Sequence, residues 1–171
     1  MKKICWFLTL VLLLGCFAGC QAAPEAQPST QLSIENEDGT LSDWMKEEMN
    51  EAHKQKMLKE HGYENADFGS WWSPDNPRGM QKMYYGTYDG YVMYCINFGA
   101  EVMWKETYAG YEFIYPSMHI LYAYKDGEFF EFEDLLNQGI LGEEAVAIAH
   151  EHYTEITRIQ NEARDSESTD N

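Results

Sequence analysis

Between residues 84 and 132 the chain is cut into six short runs dense in tyrosine and other strand-forming residues, and this spacing constrains the fold more than any other feature. Residues 84–88 and 91–98 flank Asp89-Gly90, a dipeptide that readily takes the positive φ angles of a two-residue hairpin turn. Runs at 102–108, 111–115 and 119–124 follow, broken at Gly110 and at Pro116-Ser117, and Lys125-Asp126-Gly127 turns the chain into 128–132. Parallel pairing needs crossovers of a dozen residues or more, so connections this short predict an antiparallel sheet of five to six strands. In run 91–98 the one strongly polar residue is Asn97, which predicts a central strand.

Helical patterns flank this β region. Thr40 or Ser42 is placed to cap a helix from residue 43, with Asp43, Glu47 and Glu48 early, lysines late and Gly62 as the stop. Met45, Met49, Ala52 and Leu58 form its apolar stripe. A loop over 63–81 then carries Trp71-Trp72, Pro74 and Pro77. After the strands come a short helix over 133–138 and a long one over 143–163. In the long helix Val146, Ala149, Tyr153, Ile156, Ile159 and Ala163 recur at three- and four-residue spacing, a stripe suited to covering one face of the sheet. The predicted class is α+β.

The N-terminus reads as an export signal over residues 1–19: Lys2 and Lys3, an apolar run from 4 to 14, then small residues before a cysteine. That run is shorter than the roughly 20 residues of a membrane-spanning helix. Phe17-Ala18-Gly19-Cys20 resembles the lipobox of bacterial lipoproteins, which implies a lipidated Cys20. Leu13-Leu14-Gly15-Cys16 fits nearly as well, so Cys16 is the alternative. Two acyl chains, each contributing about 0.8 kcal/mol per buried CH₂, hold a protein on a membrane where one would come off. Residues 20–41 are read as a polar tether, 42–164 as one domain and 165–171 as a disordered acidic tail.

Cleavage before Cys20 leaves 152 residues, enough for one core of ordinary size. Two lysines and no acid leave with the signal, so the formal charge moves from −17 to −19. Such a surface repels nucleic-acid phosphates, and no nucleic-acid partner is expected. Of the four cysteines only Cys95 stays free, in an apolar run that predicts a buried thiol rather than a nucleophile.

None of the five histidines has a metal-ligand spacing; His150 and His152 stand about 200° apart around a helix, and His53 and His61 lie eight apart on another. The acidic stretch 35–39 lacks both end ligands of a calcium loop, because Ile34 falls first and Met45 twelfth when Gly39 is sixth. No cofactor or metal is expected, and no nucleophile elbow or phosphate loop is present. Glu101 with Glu106, or Glu112 with Glu128, could sit across strands as a carboxylate pair for glycoside hydrolysis. The aromatic cluster of Trp71, Trp72, Tyr84, Tyr85, Tyr88 and Tyr91 supplies the binding candidates, since exposed rings give large contact at low entropy cost. Most of these tyrosines are expected in the core, with Trp71 and Trp72 the exceptions.

Residues 84–90 (YYGTYDG), 109–113 (AGYEF) and 124–129 (YKDGEF), with an acidic short helix and Gly139-Ile140-Leu141 after them, resemble a pattern in uncharacterised lipoproteins and secreted proteins of Gram-positive bacteria. The resemblance spans about residues 84–153 and implies compartment and domain, with no activity attached. The expected role is a tethered module that meets an envelope glycan or protein on the outer face of the membrane. A small envelope hydrolase and an inhibitor or immunity-type protein are the alternatives.

Overall fold

The computed structural model describes residues 32–64, 70–74, 81–97, 103–116 and 121–169. The chain divides into two units, Met1–Leu32 and Ser33–Asn171, and the fold is that of the second. The signal segment, Cys16, Cys20 and the tether as far as residue 31 lie outside the described residues.

Helix α1 (Asp43–His61) is followed by the two-residue strand β1 (Ser70–Trp71), then β2 (Gln81–Tyr88), β3 (Tyr91–Asn97), β4 (Met103–Tyr108), β5 (Tyr111–Pro116), β6 (Leu121–Lys125) and β7 (Glu128–Glu131). Helices α2 (Phe132–Asn137) and α3 (Glu143–Thr169) complete the chain. The class is α+β, with an N-terminal helix and C-terminal helices as expected from sequence.

The sheet differs from the predicted antiparallel one in two ways. Five strands form a mixed sheet in the order β1-β2-β3-β6-β7, and β4 with β5 forms a separate two-stranded sheet. β1 pairs parallel to β2, with Ser70 opposite Gln81 and Trp71 opposite Lys82. The β4–β5 hairpin leaves the meander, so that β6 pairs with β3.

Hairpin turns set the local geometry. Asp89, Ala109 and Asp126 all have positive φ and each precedes a glycine of positive φ, the signature of two-residue turns whose twist matches the strands.

Strand β3 is apolar because both of its faces are covered. Val92, Tyr94 and Ile96 pack with Leu41, Met45 and Met49 on the α1 side. Met93 and Cys95 pack with Phe132, Leu135, Val146 and Ala149 on the α2/α3 side. Alternate residues thus serve two cores, and continuous rather than alternating apolarity follows. The stripe of α3 meets the sheet as predicted: Val146, Ala149 and Ile156 are buried, and Tyr153 packs against the same cluster. On α1, Met45 and Met49 are buried but Leu58 is exposed, one turn from the end at Gly62.

Two boundaries move. Residues 33–41 belong to the domain rather than to a tether: Leu41 is 1% exposed, Ile34 packs beside it, and Glu35 bridges to Leu41. Trp44 Nε1 donates to the Ser33 carbonyl at 2.8 Å, which fastens the same arm to α1. Ser42 stands at the helix N-cap, but its buried hydroxyl makes no capping bond, and Thr40 bonds Asp38 instead. At the other end α3 runs on to Thr169, through residues expected to form a tail. No glycine or proline interrupts it, and Arg158 bonds both Glu155 and Glu162 one turn either side.

Candidate functional site

Five segments converge on a cleft of about 490 Å³: the arm at 38–41, Lys46 on α1, the Trp71–Pro74 segment, Tyr84 on β2, and the face of α3 that carries Glu151, His152 and Ile156. Each is placed by a local rule. The arm turns on Asp38, whose carboxylate accepts from the Thr40 amide at 3.0 Å and the Thr40 hydroxyl at 2.6 Å. Those two bonds hold its carboxyl below the usual range. Trp71 and Trp72 are consecutive, so their rings go to opposite cores: Trp71 packs with the α1 cluster and Trp72 with the α3 cluster. The Trp72 amide donates to the Lys82 carbonyl at 2.8 Å, which ties this segment to β2.

Tyr84 and His152 meet because β2 carries a bulge. Tyr84 faces Tyr94 and Thr87 faces Val92, so β2 has one extra residue between them, and Tyr85 with Gly86 stands opposite Met93. Gly86 has φ +94°, and a Cβ there would lie 2.6 Å from Ile148 Cγ2 and 3.0 Å from His152 Cδ2. The absence of a side chain therefore lets α3 press directly on the strand. His152 lies edge-on to Tyr84 with ring centroids 5.2 Å apart.

The Tyr84 hydroxyl donates to Glu35 and lies 2.7 Å from Thr87 Oγ1. Burial, then the bond to Glu35, pushes the phenol well above its ordinary value, so it stays a neutral donor. Burial lowers the His152 pKa, with Glu35 and Glu151 opposing, so burial favours the neutral ring. Ile156 and Ile159 add apolar wall, while Asp38, Glu151 and Glu155 also line the cleft. The arrangement offers flat rings and aliphatic contact beside carboxylates, which suits a ligand with an apolar face and hydrogen-bond donors.

The six aromatic candidates separate. Trp71, Trp72 and Tyr84 line this cleft. Tyr85 is core, 1% exposed, and stacks with Phe113 at 6.5 Å, so it cannot touch a ligand. Tyr88 packs on the α3 cluster with its hydroxyl 3.2 Å from Glu144. Tyr91 lines a different cleft of about 420 Å³ with Phe129, Phe130 and Asp134. There the protein's own lysines cover the rings, with Lys125 Nζ 4.4 Å from the Tyr91 centroid and Lys56 Nζ 5.8 Å from that of Phe129.

Cys95 is fully buried and its thiol is pushed up to about 12 by burial, the state of an inert core residue. Glu112 on β5 pairs with Lys105, and Glu128 on β7 belongs to the other sheet. Glu101 lies outside the described residues. His150 Nε2 donates to the Glu112 carbonyl at 3.1 Å, and the Tyr153 hydroxyl bonds both the amide and the carbonyl of Ile114 at 3.1 Å. These side chains occupy the outer edge of β5. Among the described residues no group of three or more His, Cys, Asp and Glu could hold a metal ion. No described helix is long and apolar enough to cross a membrane.

Not among the binding candidates read from sequence are Asp38 and His152, which line the cleft, Glu35, which bonds Tyr84, and Gly86, which lies under His152. Only Gly86 had a local signal, a glycine inside a strand pattern. Compared with protein-family models, curated proteins and solved structures, the chain matches none.

Proposed function

We propose that the chain is an exported lipoprotein held on the membrane through Cys20, and that its α+β domain is a binding module facing outward, with the Trp71–Trp72–Tyr84 cleft as its ligand site. The cleft itself is the observation that carries the second half. Three of the aromatic residues picked from sequence line it, from two segments, around a volume within the roughly 300–1,000 Å³ range of ligand pockets. Both indole N–H groups are buried without a hydrogen-bond partner among the described residues. The anchor rests on the sequence: a basic start, a short apolar run and small residues before Cys20.

The test titrates the full chain, in a neutral detergent, against soluble envelope glycan fragments and peptides. Saturable binding that weakens tenfold or more on Trp72→Ala and not on Trp104→Ala supports the site, Trp104 being an exposed tryptophan on β4 outside the cleft. Binding that ignores Trp72→Ala contradicts it.

A further inference from the structure

The cleft is polarised along α3. Residues 151 and 155 lie one turn apart and put two carboxylates on one line, and His152, Ile156 and Ile159 form the adjoining line of uncharged side chains. The eight helical steps from residue 151 to 159 give the groove a length of about 12 Å, the span of three to four residues of extended chain. Asp38, from the arm, adds a third carboxylate to the lining.

The charges present are unevenly satisfied. Glu155 is held by Arg158 at 2.6 Å. Lys46, a cation of the lining, is held by Asp43 at 2.9 Å. Asp38 accepts from Thr40 but has no ion pair among the described residues. Glu151 is exposed and likewise has none there. His152 packs against Tyr84 and the Gly86 bulge, and burial lowers its pKa against the opposing pull of Glu35 and Glu151. Around it the chain carries a formal charge of −17, which draws cations toward the surface.

Resting on the reading of this cleft as a ligand site, we infer that its ligand is a basic peptide segment, seated along α3 with an aliphatic stem against Trp72, Ile156 and Ile159 and an ammonium or guanidinium between Asp38 and Glu151. A lysine or arginine side chain has that division, an apolar stem ending in a charge. A neutral glycan would use the rings but leave Glu151 without a counter-charge, and Asp38 with only the field of Lys46, which is itself paired with Asp43.

The probe is a hexapeptide of alternating lysine and leucine carrying an uncharged dye, followed by fluorescence polarisation with the full chain in neutral detergent. Its partner is the same peptide with every lysine acetylated. The expected result is binding of the lysine peptide at least tenfold tighter than of the acetylated one. Asp38→Asn with Glu151→Gln should weaken it tenfold or more, against less than twofold for Glu47→Gln with Glu60→Gln, exposed acids of α1 outside the cleft. Equal loss in the two double variants would mean attraction by overall charge alone and overturns the inference, as does no binding of the lysine peptide. Equal binding of both peptides, lost on Trp72→Ala, also overturns it while leaving the cleft as a binding site. So does a neutral glycan fragment that binds the cleft where the lysine peptide does not.

Discussion

Replacing Gly86 with alanine tests the contact that joins β2 to α3 and shapes the cleft. Two costs add. The backbone sits at φ +94°, where an L-residue loses about 1–2 kcal/mol. The new methyl would stand 2.6 Å from Ile148 Cγ2 and 3.0 Å from His152 Cδ2. Ile148 is β-branched and stiff at χ1, so relief requires α3 to move, and overpacking of this kind costs about 1–3 kcal/mol. Together Gly86→Ala should lose about 2–5 kcal/mol, a large share of the 5–15 kcal/mol that holds a typical domain. Urea unfolding followed by circular dichroism reads this directly: at a slope of about 2 kcal/mol/M the midpoint falls by roughly 1–2.5 M.

Gly110→Ala supplies the control, because Gly110 has φ +86° and nothing within 4 Å of the position its Cβ would take. It should lose the backbone part alone, about 1–2 kcal/mol. Adding Ile148→Ala to each variant isolates the contact, and the double-mutant cycle should return a coupling of about 1 kcal/mol or more with Gly86 and none with Gly110. Equal losses for the two glycines, or no coupling to Ile148, would refute the reasoning.

Ala109 holds φ +47° at an exposed turn, a conformation asparagine tolerates better, so Ala109→Asn should raise stability by about 0.5–1 kcal/mol in the same urea assay. His53, half-buried against Phe129 at 4.8 Å, has its pKa lowered to about 4, first by burial and then by Lys82 and Lys56. The unfolded chain binds more protons between its own value, near 6.5, and pH 4, so this contribution is whole above pH 6.5 and lost by about pH 4. Discounted for partial exposure it amounts to about 1–2 kcal/mol, and His53→Gln should flatten the stability–pH curve over that window by the same amount. Tyr84→Phe removes the donor to Glu35 and should cost about 1–2 kcal/mol, with faster amide exchange confined to residues 33–41.

Local chemistry made much of the fold legible. Asp89-Gly90 and Asp126-Gly127 became the turns they announced, and Gly62 ended α1. The sequence did not announce strand order, because β4 and β5 have the same strand-forming character whether they join the main sheet or leave it. A two-residue strand such as β1 is too short for any pattern to register. The arm over 33–41 reads as tether since only Ile34 and Leu41 can be buried there, yet both are enough to dock it. At α3, counting ended the helix at its last apolar residue, whereas the absence of a breaker lets it run on, with Arg164 bonded to Asn161 and Ser166 to Ala163. The cleft was half visible: aromatic type pointed to Trp71, Trp72 and Tyr84, but only the folded chain brings Asp38 and His152 beside them. Tyr85, next to Tyr84 in sequence, faces the other core because a strand alternates.

The proposal of an anchored module stands on the chemistry at residue 20. Mass spectrometry of the N-terminal peptide, from chain purified out of membranes after expression in a bacterium with the lipoprotein pathway, reads it in one step. The expected peptide begins at Cys20 and carries diacylglycerol on its sulfur; the same modification on Cys16 would shift the anchor and preserve the topology. A mature N-terminus without lipid on either cysteine would contradict the proposal.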